Sequence, residues 1–266
     1  MNNIEIANET IKITSEKKYL KNGNEICLPD RDYAAVEVYS PQRGSELLKK
    51  DISDYFTDKE CVYTVVNMDS FQAAHNYENA FVMNFANAHH AGGGFRLGAN
   101  AQEEALCRCS TLYRSITSSA ASEMYKYNNT RLSTVESDYM LYSPEVCVFR
   151  NEKCELLEAP FTASVITVPA PNRRGAALLA SGKKIDETMI RRIKIMLMIA
   201  AEKGHRDLVL GAWGCGAFGN SPAKVAQMFY DVLIGSSFGK MFKNVCFAVY
   251  GKTDSKNFRA FENAFK

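Results

Sequence analysis

From residue 61 onward, short β-branched runs alternate with stretches of helical period for roughly 200 residues, and this alternation constrains the fold most. Strands are predicted at 61–66, 80–85, 164–168, 207–210 and 245–250, each apolar and bounded by turn residues. Helices are predicted at 71–78, 102–116, 185–203, from Ser221-Pro222 to about 234, and at 255–265. In 102–116 the apolar residues fall at 105, 106, 109, 112, 113 and 116, which is a helical stripe. Residues 139–142 and 146–149, separated by Ser143-Pro144-Glu145, form an expected strand pair, and the polar stretch 118–138 is expected to be a loop. The pattern predicts an α/β fold, one sheet covered on both faces, over residues 61–266. Residues 1–60, punctuated by Pro29 and Pro41 with a helical run at 43–56, are expected to pack on that core as an N-terminal extension.

A chain of 266 residues with 46% hydrophobic composition can bury a substantial core as one large domain. The formal charge of +2 provides no global field for a polyanion, which argues against direct sequence-specific nucleic-acid binding. The start lacks a basic segment followed by an apolar one, and no apolar run approaches the roughly 18 residues of a membrane span. None of the eight cysteines forms a Cys-x-x-Cys pair, and Cys107 and Cys109 are too close for a usual zinc knuckle. Cys61, Cys147 and Cys246 sit in strand-like runs as reduced core thiols. A cytoplasmic location is expected, with no metal and no cofactor.

Two glycine-rich turns each join a strand to a helix. Gly92-Gly93-Gly94 follows the 80–85 strand, and Gly214-Cys215-Gly216-Ala217-Phe218-Gly219 follows the 207–210 strand. Three consecutive glycines are costly to order, so they point to positive φ or to something approaching the backbone closely. Turns at the carboxyl ends of strands, leading into helix N-termini, suit a diphosphate held on backbone N–H groups; ordinary tight turns fit the spacing as well. Neither turn carries a Walker pattern. Phe218 is either a core plug or a platform for a sugar or base.

Seven residues after the triplet come Gln102, Glu103 and Glu104 at the start of a predicted helix. Acidic residues in a first turn can serve the helix dipole alone. Glycosidic cleavage is the chemical alternative, but glycosidases set two carboxylates face to face across a bond, and helical neighbours diverge by 100°. The wheel places Glu103 and Glu104 on opposite flanks of the apolar stripe, away from the core. One carboxylate would then transfer protons while the other holds ribose hydroxyls. A helix N-terminus favours an ionised glutamate there, and a bound diphosphate would oppose that. His89 and His90 point opposite ways in extended chain, with no acidic partner at ligand spacing, so they are expected on the pocket rim.

The triplet with Gln102-Glu103-Glu104, the flanking 84–88 and 106–113 blocks, Ala170-Pro171-Asn172 and the 211–220 loop together resemble the bacterial-type poly(ADP-ribose) glycohydrolases. The resemblance covers roughly residues 60–250 and implies a macrodomain fold, a mixed sheet between helices that binds ADP-ribose. It implies hydrolysis of the ribose–ribose O-glycosidic bond of poly(ADP-ribose), releasing ADP-ribose. Glu104 matches the catalytic glutamate and Glu103 the neighbour that holds ribose hydroxyls. Gln102 and Gly92, Gly93 and Gly94 would line the distal ribose and diphosphate, and Asn87 stands where macrodomains place a ribose-contacting asparagine. Gly214, Cys215, Gly216, Ala217, Phe218 and Gly219 match the second phosphate loop, with Phe218 against the terminal ribose. Asp69 is a possible adenine contact. Ala91 stands where proline is expected, the His89-His90 pair departs from the family pattern, and Ser221 replaces an expected acidic residue. Removal of single ADP-ribose units from protein or nucleic acid, or a non-catalytic ADP-ribose reader, are the alternatives.

Overall fold

The computed structural model describes residues 1–266. Helix α1 (Asn3–Glu16) opens the chain, capped by Asn2, whose side chain accepts from the N–H groups of Ile4 and Glu5. A two-stranded hairpin follows, β1 (Lys18–Lys21) with β2 (Asn24–Cys27), and then strand β3 (Glu37–Tyr39) and helix α2 (Pro41–Leu47). The helical run expected at 43–56 is two pieces, α2 and a 3₁₀ turn at Ile52–Tyr55. After β4 (Val62–Val66), Asp69 caps the short helix α3 (Ser70–Ala74), and β5 (Ala80–Ala86) leads into the glycine triplet.

The stripe over 102–116 is not one helix. It breaks into α4 (Gln102–Cys109) and α5 (Leu112–Ile116), because Ser110 adopts extended backbone and bridges Val148 of the sheet. The polar stretch expected to be a loop contains α6 (Ser122–Thr130), which buries Met124, Tyr125 and Asn128. The expected strand pair is one long strand, β6 (Met140–Arg150), bulged where Glu145 takes a left-handed conformation (φ 47°). It pairs antiparallel with β7 (Leu156–Pro169), which begins well before the predicted 164–168 segment. Then come α7 (Gly182–Glu202), β8 (Asp207–Leu210), α8 (Pro222–Tyr230) continuing as a π turn to Gly235, β9 (Asn244–Ala248) and α9 (Lys256–Phe265).

Seven strands form a mixed sheet in the order β3-β6-β7-β5-β8-β9-β4. From β7 to β4 every pairing is parallel; β6 and β3 run antiparallel at one edge. Side chains alternate across the sheet. Phe81 and Met83 of β5 therefore join one core with α2, α7, α8 and α9. Ala80 and Val82 join a second core with α1, α3, α4, α5 and α6. A strand covered on both faces must be apolar along its length, and six of the seven β5 residues are buried. β5 lies between β7 and β8, so the loops after these three parallel strands gather at one end of the sheet, where open α/β sheets bind ligands.

Candidate active site

Both glutamates at the start of α4 are buried, at 3% exposure for Glu103 and 7% for Glu104, contrary to the helical-wheel expectation that they point away from the protein. The glycine loop folds over the helix start and supplies the N–H groups that make burial tolerable. Glu103 accepts from the Asn87 N–H (2.8 Å) and from Asn84 Nδ2 (3.4 Å). Glu104 accepts from the Gly94 N–H (2.9 Å) and the Ala101 N–H (3.1 Å).

Each glycine of the triplet has its own reason to lack a side chain. Gly92 and Gly93 have positive φ, 72° and 54°. A Cβ on Gly92 would meet the Tyr113 ring at 2.8 Å, and one on Gly94 would meet Ala99 Cβ at 2.7 Å. A Cβ on Gly93 would overlap Glu104 Oε1 and stand 3.4 Å from Glu103 Oε2. Both carboxylates therefore converge on the open face of Gly93. Adjacent helical positions splay apart, yet one oxygen of each carboxylate borders Gly93 because the loop between strand and helix turns back across them.

Burial pushes Glu103 up to about 8, and the neighbouring Glu104 charge adds to the shift against the hydrogen bonds from Asn87, Asn84 and Gly92. At neutral pH Glu103 is mostly protonated.

The other predicted residues of this lobe have mixed placements. Gln102 turns inward: its Oε1 accepts from the Phe85 N–H (2.8 Å), and its Nε2 donates to the Met83 carbonyl (2.8 Å) and Ser70 Oγ (3.0 Å). It splices α4 to β5. Asn87 accepts on Oδ1 from the N–H groups of His89 (2.8 Å) and His90 (3.0 Å), a local turn that leaves its Nδ2 free. His89 faces Asn129 of α6 (3.1 Å to Oδ1), and His90 is exposed on the rim. Asp69 caps α3 through Oδ1, which accepts from the N–H groups of Phe71 and Gln72, and borders a hollow with Cys109, Arg150 and Phe161.

The second loop is held by Asn220, a residue whose role the sequence did not signal. Buried beneath the loop, Asn220 donates from Nδ2 to the carbonyls of Pro171 (2.9 Å) and Gly214 (3.2 Å) and accepts from Arg173 Nε (3.0 Å). Gly214 has φ 71°, and a Cβ there would meet Asn220 Nδ2 at 2.6 Å. Trp213 anchors the loop's entry through Nε1 to the Val168 carbonyl (3.0 Å). Cys215 is half-buried, with its thiol pushed up to about 12 by burial. Ala217 is exposed at the loop tip, and Gly216 has open space where its Cβ would be. Phe218 is half-buried and packs against the edge of the α7 core, while its carbonyl accepts from the Arg173 N–H (2.9 Å). Gly219 (φ 72°) abuts the Arg174 side chain. Ser221 stands at the N-cap of α8 ahead of Pro222, although its hydroxyl makes no capping bond.

Asn84, Arg173, Arg174 and Asn220 thus border the site without having been singled out from the sequence. Asn84 could have been found, since a polar residue inside an otherwise apolar central strand must have a buried partner. No group of three or more His, Cys, Asp and Glu side chains is placed to hold a metal ion.

A family model described as microbial-type PARG, catalytic domain, matches residues 7–151. The structure of a poly(ADP-ribose) glycohydrolase from Thermomonospora curvata superposes with a TM-score of 0.91 at 34% identity over 99% of both chains. The same enzyme bound to the inhibitor ADP-HPD gives 0.90, again at 34% and 99% of both chains. A poly(ADP-ribose) glycohydrolase from Deinococcus radiodurans in complex with ADP-ribose gives 0.82 at 33%, covering 90% of this chain and 98% of the other. No curated protein sequence matches the chain. The extent of the family match and of the shared fold place the protein in the microbial-type poly(ADP-ribose) glycohydrolase family.

Proposed function

We propose that the chain hydrolyses the ribose–ribose O-glycosidic bond of poly(ADP-ribose), with ADP-ribose as product and Glu104 as acid and base. Two glycine-rich loops follow neighbouring parallel strands; the second leaves the N–H groups of Gly216, Ala217 and Phe218 without other partners for the diphosphate, and the paired carboxylates at Gly93 mark the reacting end. With the diphosphate's charge beside it, Glu104 takes up a proton, and that proton moves to the leaving ribose oxygen as the C–O bond breaks and an oxocarbenium-like ribose forms. Water then adds to that carbon, and Glu104 takes back the proton. Glu103, pushed up to about 8 by burial, holds ribose hydroxyls. Phe218 and the Asn87 amide would border the terminal ribose, and Arg174, which abuts Gly219 of the second loop, would meet a phosphate.

The observation that carries this reading is the convergence of both carboxylates on a position that only glycine can occupy. A protein that merely reads ADP-ribose gains nothing from two acids at that point. Glu104→Gln should keep ADP-ribose affinity within a few-fold while turnover on polymer falls by about 10²–10⁴. Turnover persisting within about tenfold would remove Glu104 from this role.

We also infer a cytoplasmic setting. All eight thiols are unpaired, and no helix is long and apolar enough to cross a membrane.

A further inference from the structure

A groove of about 840 Å³ lies between α1, the segment at 30–33 and helix α5, and Arg96, in the 3₁₀ turn that follows the glycine triplet, borders it. Four cationic side chains line it: Lys17, Arg31, Arg96 and Arg114. Two acids, Asp30 and Asp32, face them. The charges do not cancel evenly. Lys17 is paired with Asp30 (2.5 Å), Arg31 reaches Glu145, and Asp32 accepts from the Ala34 N–H (2.9 Å). Arg96 and Arg114 are exposed, and both guanidinium groups remain without a carboxylate or carbonyl partner. Both arginines are thus unengaged where they line the groove, and guanidinium groups suit phosphate oxygens.

Position ties the groove to the catalytic glutamate. Arg96 is two residues beyond Gly94, whose N–H binds Glu104. At about 3.8 Å per Cα step, the Arg96 backbone is within about 8 Å of that glycine. Tyr113 belongs to both walls: its ring closes the Gly92 side of the catalytic loop and borders the groove. A polymer whose terminal ADP-ribose fills the loop cleft must continue outward from the bond at Glu104, and the next unit brings a second diphosphate.

We propose that this groove is a subsite for the diphosphate of the ADP-ribose unit on the leaving side of the scissile bond, with Arg96 and Arg114 as its anion contacts. The inference rests on the glycohydrolase reading above and adds what that reading leaves open, a preference for polymer over a single ADP-ribose unit. The N-terminal layer would then supply half of a substrate groove.

The test is the Arg96→Glu/Arg114→Glu double variant, with Arg96→Gln/Arg114→Gln as the milder form should charge reversal impair folding. ADP-ribose release from polymer and calorimetric affinity for free ADP-ribose are measured on each. The subsite predicts a KM for polymer raised about tenfold or more, a kcat within about twofold, and an unchanged Kd for ADP-ribose. An unchanged KM in the glutamine variant, with melting like the wild type, overturns the subsite alone. A wild-type protein that releases no ADP-ribose from polymer overturns the underlying activity instead.

Discussion

The two glutamates share one helix start and one covering loop, yet each is buried against its own hydrogen-bond donors. Glu103 is held about 8 by burial, well above an exposed glutamate, so folding favours its protonated form. The folded state therefore binds more protons than the unfolded state between the ordinary glutamate range and about pH 8. The contribution of Glu103 is most favourable below that window, declines as pH rises through it, and is flat above it. Glu103→Gln, which mimics the neutral acid, should remove this dependence. Denaturant midpoints from pH 5 to 9 should show the variant gaining on the wild type by an amount on the order of a few kcal/mol. Parallel curves for the two proteins would show that Glu103 is ionised in the native site. Activity should separate the pair as well, since an amide can still hold ribose hydroxyls and Glu103→Gln should lose far less turnover than Glu104→Gln. A ligand loop followed by a charged helix start was legible from the Gly-Gly-Gly and Gln-Glu-Glu spacing, but the burial of the two glutamates was not. Helical periodicity describes a helix by itself, and here a loop covers the helix start from outside.

At the scale of elements, the parallel strands were the most legible, because a strand buried on both faces leaves a short apolar run. Ser110 is where local pattern failed. The apolar stripe runs through it without interruption, yet the Ser110–Val148 bridge and the Thr111 N–H to the Cys147 carbonyl (3.0 Å) pull the backbone out of the helix. Helix α6 was hidden for the opposite reason, since a mostly polar segment needs only three buried residues to settle on the sheet layer. The second glycine loop was visible as a loop, whereas its fastening was not: Asn220 reads as one more polar turn residue until its three partners are known. Asn220→Ala leaves the Pro171 carbonyl and Arg173 Nε without their buried partner, at a cost of about 1–3 kcal/mol. The loop should then lose its fixed shape, so ADP-ribose affinity should drop by about tenfold or more in calorimetry together with a lower Tm. That outcome is the reverse of the one expected for Glu104→Gln, in which binding should survive and turnover should be lost. A variant that melts lower but binds ADP-ribose normally would show that the loop does not need this fastening.

At the scale of the whole molecule, the first 60 residues belong to the architecture that positions the site. Strand β3 is an edge of the main sheet, paired with β6 from Glu37↔Tyr142 to Tyr39↔Met140. Helix α1 lies against α4: Thr10 Oγ1 donates to the Arg108 carbonyl (2.7 Å), and Asn3 Nδ2 donates to the Gly98 carbonyl at the end of the glycine loop (3.0 Å). Arg108 in turn donates from Nη1 to the Ala99 carbonyl (2.6 Å), so α1, α4 and the loop form one braced assembly. Arg150, buried at the end of β6, is neutralised by Glu9 and donates to Thr10 Oγ1 (3.3 Å). Ile13, Tyr19, Leu28 and Tyr33 cover Cys147 and Phe149 on the outer part of β6. Removing residues 1–36 would expose that apolar cluster and strand the Arg150 charge without its carboxylate, a loss of about 3–5 kcal/mol from the ion pair alone. That is comparable with the whole stability of many domains. The truncated chain should lack a cooperative thermal transition, bind a hydrophobic dye and release no ADP-ribose from polymer. A truncated protein that melts within a few degrees of the full chain and keeps its turnover would instead make these residues a dispensable attachment. The bracing of Gly98 and Ala99 gives the physical reason to expect the first result, because the loop that buries Glu104 is pinned from the side that the truncation removes.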